Sequence, residues 1–327
     1  MKIFFIGPSP PPVGGVSESF RKVVNLYLGA KSDLEVINTS SNNSREALYR
    51  KKPISSYFRT IRVVTSVLKR FLSVPRKGVE THVFCTSNSG FLRDMFVLLI
   101  SRYFSENLII HLHSKTSGEL FLGKKLIRIF FFILNMADHI LVLSKEHKSY
   151  FKTYSNKLHI LENFCLSEEF EQVSNFENNF LYCGRLSEQK GIYDLANSLS
   201  TIDETDWTLN LIGEYDQDHT KTLLADFILK DNVNHLGILM GKDKRKLFQN
   251  SLFLVFPSHF ENSPVTLKEA MLVGMLIICS NLQANKNVLR DYPGAFFFES
   301  KNADSLKTAL SEALRLNESE KLNLHEK

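Results

Sequence analysis

The amino-acid sequence predicts an α/β fold made of two doubly wound, Rossmann-like domains. Apolar runs of strand length alternate with amphipathic helical segments, and this alternation occurs twice along the 327 residues. A polar, acidic stretch without periodicity, residues 164–179, separates the two series and is the expected interdomain linker. We therefore predict an N-terminal domain over residues 1–165 and a C-terminal domain over residues 166–327.

Each domain supplies strands with helices between them. The predicted N-terminal strands are MKIFFIG, LEVINTS, THVFCTS, NLIIHLHS, DHILVLS and KLHILENF. The C-terminal domain begins with FLYC, and its other predicted strands are WTLNLIG, VNHLG, LFLVFPS and LIICS. Among the predicted helices are SYFRTIRVVTSVLKRFL, LRDMFVLLISRYF, FLGKKLIRIFFFILNMA, HTKTLLADFILK, DKRKLFQN, VTLKEAMLVG and NADSLKTALSEALRL.

The composition is that of a globular protein, with 43% hydrophobic and 23% charged residues. The cysteine usage is that of a cytoplasmic protein. The apolar run of MKIFFIGPSPPP is too short for a signal peptide, and charged residues interrupt the longest apolar stretch before it could span a bilayer. The cysteines are widely spaced and lack metal-ligand spacing, so we expect buried, reduced thiols at Cys85, Cys165, Cys183 and Cys279.

Positive charge is concentrated in the first half of the chain. Residues 1–165 carry a net charge of about +13 and the remainder about −8. The segment Arg45–Lys77 contains many cations and a single acid, Glu46, and its middle has the apolar spacing of an amphipathic helix. Such a helix suits an anionic membrane surface. A solvated basic face is the alternative, and the lack of a recognisable nucleic-acid module argues against nucleic acid. Lys124, Lys125 and Arg128 beside Phe130–Phe132 could form a second membrane-facing surface, although core packing explains these phenylalanines equally well.

The stretch Phe256–Gly274 is the strongest functional signal in the sequence. Ser263 is a good N-cap and Pro264 a good first helical residue, so a helix is expected to begin near Pro264. This break places Glu269 on the helix and Glu261 on the preceding loop, with the amides of Val265, Thr266 and Leu267 directed toward that loop. A phosphate site between two carboxylates suits a sugar nucleotide. An ordinary capped helix with two surface glutamates is the alternative, but the preceding buried strand favours a ligand site, because ligands bind beyond the carboxyl ends of parallel strands.

Two further loops have features of a phosphate site. GRLSEQKG places Arg185 and Lys190 between a strand and a helix, where two cations suit the charge of a leaving diphosphate. Gly14 and Gly15 follow the first strand and allow close backbone approach to a diphosphate, or serve only as a tight turn. The dinucleotide pattern G-x-G-x-x-G is absent from this loop. Gly213 and Gly237 end two strands and could leave room for a base or ribose.

Histidines and a D-x-D sequence complete the candidates. His111 and His113 alternate onto one face of their strand, and His113 lies nearer the carboxyl end, where ligands bind. A hydrogen-bonding structural role is the alternative for both. Asp216-Gln217-Asp218 has the D-x-D spacing of a metal-binding transferase sequence, but a solvated loop is the better interpretation, and we expect no metal ion.

The two α/β halves, the Gly-Gly loop, GRLSEQKG and SHFENSPVTLKEAM together resemble family-4 glycosyltransferases of the GT-B fold, especially those that build bacterial surface polysaccharides such as lipopolysaccharide. The resemblance implies two domains that face each other across a cleft, with the acceptor on the first and the nucleotide sugar mainly on the second. It also implies a retaining, metal-independent reaction without a cofactor. The implied donor is a UDP- or GDP-sugar, and the implied acceptor is a lipid-linked glycan at the inner face of the cell membrane.

The resemblance also assigns roles to individual residues. It implies that the catalytic residues are Glu261, which would contact the donor sugar, His113 beside the transferred sugar, and Arg185 and Lys190 on the diphosphate. Glu269 would bind the ribose hydroxyls, and Gly14 and Gly15 would close over the phosphates. The sugar and phosphate pocket would be lined by Asn262, Ser263, Pro264 and Val265. Gly213 joins the nucleotide-binding candidates because of its place at the end of a strand.

The chain departs from the family pattern in two places. Relatives usually have a small Gly-Gly turn where this chain has SNLQANKNV, residues 280–288, and they usually carry a further C-terminal helix. These departures leave open a non-catalytic alternative, in which the protein is a sugar-nucleotide-binding partner in a polysaccharide assembly complex. A GT-B sugar-nucleotide epimerase is a third possibility, distinguished by product formation without an acceptor.

Overall fold

The computed structural model describes residues 1–10, 14–29, 33–40, 53–74, 77–85, 90–113, 131–151, 156–165, 177–202, 206–317 and 319–321. The chain divides into two compact units, Met1–Asn163 (unit 1) and Phe164–Lys327 (unit 2). Parts of the predicted features lie outside the described residues. These parts are residues 45–52 and 75–76 of the basic segment, Lys124, Lys125, Arg128 and Phe130 of the second candidate membrane surface, and residues 166–176 of the linker.

Unit 1 is built on a parallel six-stranded sheet, sheet A. Its strands are β1 Lys2–Gly7, β2 Asp33–Asn38, β3 Val79–Cys85, β4 Asn107–Leu112, β5 His139–Val142 and β6 Leu158–Ile160, in the order β2-β1-β3-β4-β5-β6. The helices are α1 Gly15–Gly29, α2 Pro53–Leu72, α3 Phe91–Phe104 and α4 Lys145–Tyr150, and residues 131–135 are also helical. Phe4, Val83 and Ile110 lie in the core with Val67 and Phe71 of α2, as expected for a strand face covered by an amphipathic helix.

Unit 2 repeats the design with a second parallel sheet, sheet B. Its strands are β7 Glu177–Cys183, β8 Leu209–Ile212, β9 Val233–His235, β10 Ser251–Phe256, β11 Leu276–Ser280 and β12 Ala295–Phe298, in the order β12-β11-β10-β7-β8-β9. The helices are α5 Ile192–Thr201, α6 Asp218–Leu223, α7 Ala225–Ile228, α8 Gly241–Asn250, α9 Val265–Leu272, α10 Gln283–Val288 and α11 Ala303–Arg315. Every residue of β10 and β11 is buried, because helices cover both faces of the sheet.

Both sheets are doubly wound, which confirms the predicted fold class. Sheet B has the strand order of dinucleotide-binding Rossmann domains, and sheet A has the related flavodoxin-like order. In sheet B, the side on which successive strands are added to the sheet changes between β7 and β10. In sheet A, the same change occurs between β1 and β3. Ligands of open α/β sheets bind at the carboxyl ends of the strands beside such a switch point.

Several elements differ from the sequence predictions. Strand β12 was not predicted, and β7 begins at Glu177, inside the expected linker. The expected helix around HTKTLLADFILK is two short helices, α6 and α7. The segment 280–288 was interpreted as a loop but contains helix α10, whose Asn285 is fully buried and donates from Nδ2 to the Ser280 carbonyl oxygen (2.9 Å).

Candidate functional site

The loops after β7 and β10 meet at the switch point of sheet B. These two strands pair in parallel, so both loops leave the same edge. The first loop contains Arg185 and a 3₁₀ turn, Glu188–Lys190, and the second contains Glu261. Lys190 forms an ion pair with Glu261 through its Nζ and Oε1. The candidate cation and the candidate carboxylate are therefore in direct contact, on neighbouring loops at one edge of the sheet.

Three further contacts fix these loops to each other. Gly191 has φ = 69°, and a Cβ there would lie 2.0 Å from the carbonyl oxygen of Pro257, so only glycine fits. The His259 amide donates to the Gln189 carbonyl oxygen (2.9 Å), and His259 Nε2 lies 2.7 Å from Asp194 Oδ2. The ion pair therefore sits in a frame set by backbone packing and by a His–Asp pair.

Arg185 is exposed at the start of the first loop. The hydroxyl of buried Tyr182 donates to the Arg185 carbonyl oxygen (2.6 Å), which anchors the backbone while the guanidinium stays at the surface. Burial raises the pKa of Tyr182 well above its ordinary value, so its hydroxyl remains a donor at neutral pH. An exposed cation on a fixed backbone is suited to bind an anion.

The start of α9 differs by one residue from the sequence prediction. Pro264 is the N-cap, with φ = −72° and ψ = 111°, and Val265 is the first helical residue, so Ser263 is not the cap. Proline fixes φ at a value that both helical and extended backbone share, and here ψ is extended. Ser263 and Pro264 are buried, and the side-chain oxygen of Asn262 is also buried without a hydrogen-bond partner among the described residues. A buried acceptor of this kind calls for a donor such as a sugar hydroxyl.

Glu269 lies on the second turn of α9 and forms a second ion pair. Its Oε2 lies 2.6 Å from Nζ of Lys244 on α8, and the residue is only 7% exposed. Burial raises the pKa of the Cys183 thiol to about 11, and the charges of Lys244, Glu269 and Lys190 also act on it. Both ion pairs therefore lie around the carboxyl end of β7.

Gly213 has a packing reason to be glycine. Its φ is 146°, and a Cβ there would lie 1.8 Å from the carbonyl oxygen of Gly184, just before Arg185. Gly237 also has a positive φ, 65°, but open space surrounds its Cβ position. Gly213 therefore brings the backbone after β8 against the Arg185 loop, and its predicted contact with a nucleotide stays a prediction.

The Gly-Gly pair opens α1 at the carboxyl edge of sheet A. The Gly14 carbonyl oxygen accepts hydrogen bonds from the Glu18 amide (2.9 Å) and the Ser17 hydroxyl (3.0 Å). Gly15 is exposed, and a Cβ there would meet nothing within 4 Å. Space therefore remains above this helix start, although the structure gives Gly15 no steric reason of its own to be glycine.

His113 follows β4 at the same edge of sheet A. Its ring stacks on Phe84 with centroids 5.5 Å apart, and His111 stacks on the same ring at 3.8 Å. Burial, and then the charge of His147, lowers the pKa of His113 to about 3. His113 is therefore a neutral imidazole at physiological pH, able to exchange hydrogen bonds but carrying no charge.

His111 has the hydrogen-bonded surroundings of a structural residue, which was one of the two interpretations of it. It is buried, and its Nε2 lies 3.0 Å from His82 Nδ1, while His82 Nε2 lies 3.1 Å from Glu80 Oε1. Because the ionised Glu80 carboxylate only accepts, His82 donates to it from Nε2 and accepts from His111 at Nδ1. The hydrogen bond from His82 is also the first cause of the lowered pKa of Glu80.

Sequence reasoning missed Lys244, Tyr182 and the pair Asp194–His259. Lys244 is one of four cations in GKDKRKLF, and nothing in that string singles it out. Asp194 and His259 are far apart in sequence and meet only because β7 pairs with β10. In the D-x-D sequence, Asp216 Oδ1 accepts from the Thr220 hydroxyl (2.5 Å), and within the described part of the chain no cluster of three or more His, Cys, Asp or Glu is arranged to hold a metal ion.

Comparison with known proteins places unit 2 in context. Residues 167–325 match the family model described as glycosyl transferases group 1. The chain is 30% identical over 177 residues to an uncharacterized glycosyltransferase, MJ1059, from Methanocaldococcus jannaschii, covering 49% of this chain and 43% of that protein. It is 26% identical over 199 residues to the O-antigen chain mannosyltransferase RfbU of Salmonella typhimurium, covering 55% and 53%. The chain thus spans about half the length of the relatives it matches.

Solved structures match the fold of almost the whole chain. Sucrose-phosphate synthase from Thermosynechococcus elongatus superposes with a TM-score of 0.76 at 16% identity, covering 99% of this chain and 92% of that one. HepE from Anabaena in complex with UDP-glucose gives 0.70 at 14% identity, covering 99% and 92%. These likenesses confirm the GT-B fold class. The sequence resemblance is supported at the level of group 1 glycosyl transferases, while family 4 and retention are proposals.

Proposed function

We propose that the protein is a retaining glycosyltransferase that moves a hexose from a UDP- or GDP-sugar to a lipid-linked glycan in surface polysaccharide synthesis. The observation that carries the proposal is the Lys190–Glu261 ion pair at the switch point of sheet B, beside exposed Arg185. The group 1 match over residues 167–325 supports the reaction class. The UDP-glucose complex of HepE and the O-antigen role of RfbU support the classes of donor and product.

The donor is proposed to bind at the edge of sheet B by exchanging these ion-pair partners. Lys190 would leave Glu261 for the diphosphate, and Arg185 would bind the same group from the surface. Glu261 would then accept hydrogen bonds from the sugar hydroxyls, and Glu269 from those of the ribose. The side-chain oxygen of Asn262 would gain its missing donor, and the first-turn amides of α9 would face the phosphates beside Ser263, Pro264 and Val265.

In the reaction, the bond between the anomeric carbon and the diphosphate oxygen breaks, and the acceptor hydroxyl oxygen bonds to that carbon from the same face. The hydroxyl proton passes to the departing diphosphate. Negative charge grows on the leaving diphosphate, where Arg185 and Lys190 stabilise it. A preorganised electrostatic contact of this kind contributes about 10²–10³ in rate. In unit 1, neutral His113 would hydrogen-bond the sugar without supplying a charge, and Gly14 and Gly15 would close over the phosphates. No metal ion or cofactor is proposed.

The lipid-linked acceptor is proposed to reach unit 1 from an anionic membrane surface. Helix α2 buries Val63, Val67 and Phe71, and its opposite face exposes an apolar stripe, Tyr57, Phe58, Ile61, Leu68 and Leu72. Exposed Arg62 and Lys69 border that stripe. Helix α3 packs beside α2 and exposes a second stripe at helical spacing, Leu92, Phe96, Leu99 and Tyr103.

Apolar stripes edged by cations are typical of helices that lie on a lipid headgroup region. Among the described helices, none combines the length and apolarity needed to cross a bilayer. We therefore propose peripheral docking at the inner face of the cell membrane through this surface.

Turnover by single variants tests the proposal. Arg185→Ala, Lys190→Ala and Glu261→Ala should each reduce transfer from the nucleotide sugar by about 10²–10³-fold while the melting temperature stays near wild type. Lys246→Ala is the matched control, because Lys246 is an exposed cation on α8 and is not among the proposed site residues. Near-wild-type turnover in all three site variants would overturn the proposed site.

A second candidate is a non-catalytic, sugar-nucleotide-binding partner in a polysaccharide assembly complex. The observation that favours it is helix α10, which fills the segment where the resembling family has a small turn. This candidate predicts that the protein binds UDP or GDP but transfers no sugar to any lipid-linked acceptor. Radiolabelled donor incubated with membrane lipid extracts separates the two, because only the enzyme yields a labelled glycolipid.

A further inference from the structure

Lys244 and Glu269 form an ion pair, and the proposed function gives a role to Glu269 but none to Lys244. Glu269 is the residue proposed to bind ribose, yet one of its two oxygens already faces Lys244 Nζ at 2.6 Å. Lys244 lies on α8, a different element from either loop that holds the diphosphate candidates. The Lys244 ammonium is therefore paired with the Glu269 carboxylate in the absence of a ligand.

The surroundings of Lys244 keep it charged. Its Nζ lies 5.2 Å from the ring centroid of Phe248, and the lysine side chain is only about one quarter exposed. Burial would lower the pKa of Lys244, but Cys183 and Glu269 outweigh burial and raise it above the ordinary lysine value. Cys165 acts in the same direction.

The pair fixes the chemistry of Glu269. Glu269 is only 7% exposed, and its Oε2 lies 2.6 Å from the Lys244 ammonium. In this ion pair the Glu269 carboxylate presents oxygen acceptors and no donor of its own. An acceptor-only group recognises a ligand through the ligand's own hydroxyl donors.

We propose that Lys244 is a positioning residue that sets the selectivity of the site for a ribonucleotide donor. This proposal rests on the proposed function. Lys244 holds the Glu269 carboxylate in one orientation, so that it accepts hydrogen bonds from the vicinal hydroxyls of the ribose. A donor that lacks the 2′-hydroxyl leaves a buried acceptor without a partner, and such sites discriminate strongly against the deficient ligand. Lys244 contributes this selectivity through Glu269, without touching the diphosphate.

The test compares the dissociation constants of UDP and 2′-deoxy-UDP, with GDP and 2′-deoxy-GDP as the second probe pair, by isothermal titration. In the wild type the deoxynucleotide should bind about 10–100-fold more weakly, the range of a lost hydrogen bond to a charged group. In Lys244→Met this ratio should fall to near one, because Glu269 no longer accepts from both hydroxyls. Lys244→Arg should keep the ratio, and so should the control Lys246→Ala on the same helix.

A purely structural role for Lys244 would lower stability and both affinities together, leaving the ratio unchanged. Lys244→Gln retains a donor without the charge and so guards against a failure of Lys244→Met to fold. A wild-type ratio in either charge-removing variant would overturn the proposal. If the wild-type chain bound neither UDP nor GDP, the proposed function itself would fail, and this inference with it. Binding with an unaltered ratio would overturn the inference alone.

Discussion

The two units have the same doubly wound fold but differ in the charge of the side chains at their switch-point edges. In unit 2 the edge of sheet B is charged, with Lys190–Glu261 and Lys244–Glu269 as ion pairs around the end of β7. In unit 1 the candidate histidine at the edge of sheet A is neutral and stacked on Phe84. Fold alone therefore does not set the chemistry of an edge. The side chains on two or three loops decide whether it suits a dianionic leaving group or an uncharged, hydroxyl-rich ligand.

The largest expected effect is on sugar transfer, and it distinguishes the roles of Glu261 and Lys190 in their ion pair. Glu261→Gln frees Lys190 from its carboxylate, so UDP should bind no more weakly than to the wild type, while transfer from the UDP-sugar should fall by about 10²-fold or more. Lys190→Ala should weaken both, because it removes a diphosphate contact. Titration calorimetry with UDP and a turnover assay on the same preparations measure the difference. A parallel loss of binding and turnover in both variants would show that the pair acts as a unit.

Backbone packing at the edge of sheet B should have the next largest effect. Gly213→Ala places a methyl group on the Gly184 carbonyl at a positive φ, and it should lower the free energy of unfolding by about 2–4 kcal/mol. Gly237→Ala shares the positive φ but meets open space, so it should cost only about 1–2 kcal/mol. Urea denaturation of the two variants makes the comparison. Equal losses would mean that the close approach to Gly184 is not what requires glycine.

The neutral edge of unit 1 predicts a specific dependence of stability on pH. The pKa of His113 is lowered from 6.5 to about 3, so below pH 6.5 the unfolded chain binds a proton that the folded chain does not. The lowered pKa of His113 therefore has no effect on the free energy of unfolding above pH 6.5. It lowers this free energy progressively as the pH falls from 6.5 toward 3. His113→Gln should lose less thermal stability than the wild type between pH 7 and pH 4. The control His219→Gln, at an exposed position, should follow the wild type, and identical curves for His113→Gln and the wild type would contradict the shift.

The smallest effect concerns the exposed stripes of α2 and α3. Each cation near an anionic bilayer contributes about 1 kcal/mol, so Arg62→Glu with Lys69→Glu should reduce flotation with phosphatidylserine-containing vesicles by at least about tenfold. The same two reversals at Lys242 and Lys246, exposed on α8 in the acidic half of the chain, should have little effect. Equal flotation of the two double variants would argue against docking through α2.

Most of the fold followed from the sequence because buried parallel strands are continuous apolar runs. The exceptions have physical reasons. Strand β12 is the short run Ala295–Phe298 at the sheet edge, with half-exposed residues and no clear periodicity. Helix α10, in QANKNV, has one apolar face of only a few residues and is held instead by the buried Asn285. Pro264 fits the end of an extended segment as well as the start of a helix, and φ cannot distinguish the two.

The candidate site was predictable as a set of loops but not as a set of contacts. Glycine, proline and charge patterns identified Arg185, Lys190, Glu261 and Glu269 as candidates. That Lys190 faces Glu261 depends on the pairing of β7 with β10, which is a property of the strand order. Lys244 could not be singled out, because only the packing of α8 against the α9 side of the sheet distinguishes it from its basic neighbours.

The most direct test of the central claim is a titration of UDP, and of GDP, into the wild type and into the Arg185→Ala, Lys190→Ala double variant. Lys242→Ala with Lys246→Ala, which removes the same charge elsewhere in unit 2, is the control. If the two loops at the β7/β10 switch point hold the donor diphosphate, affinity should fall by at least about 10²-fold in the site variant and remain unchanged in the control. Equal affinity in all three proteins would contradict a diphosphate site at this edge.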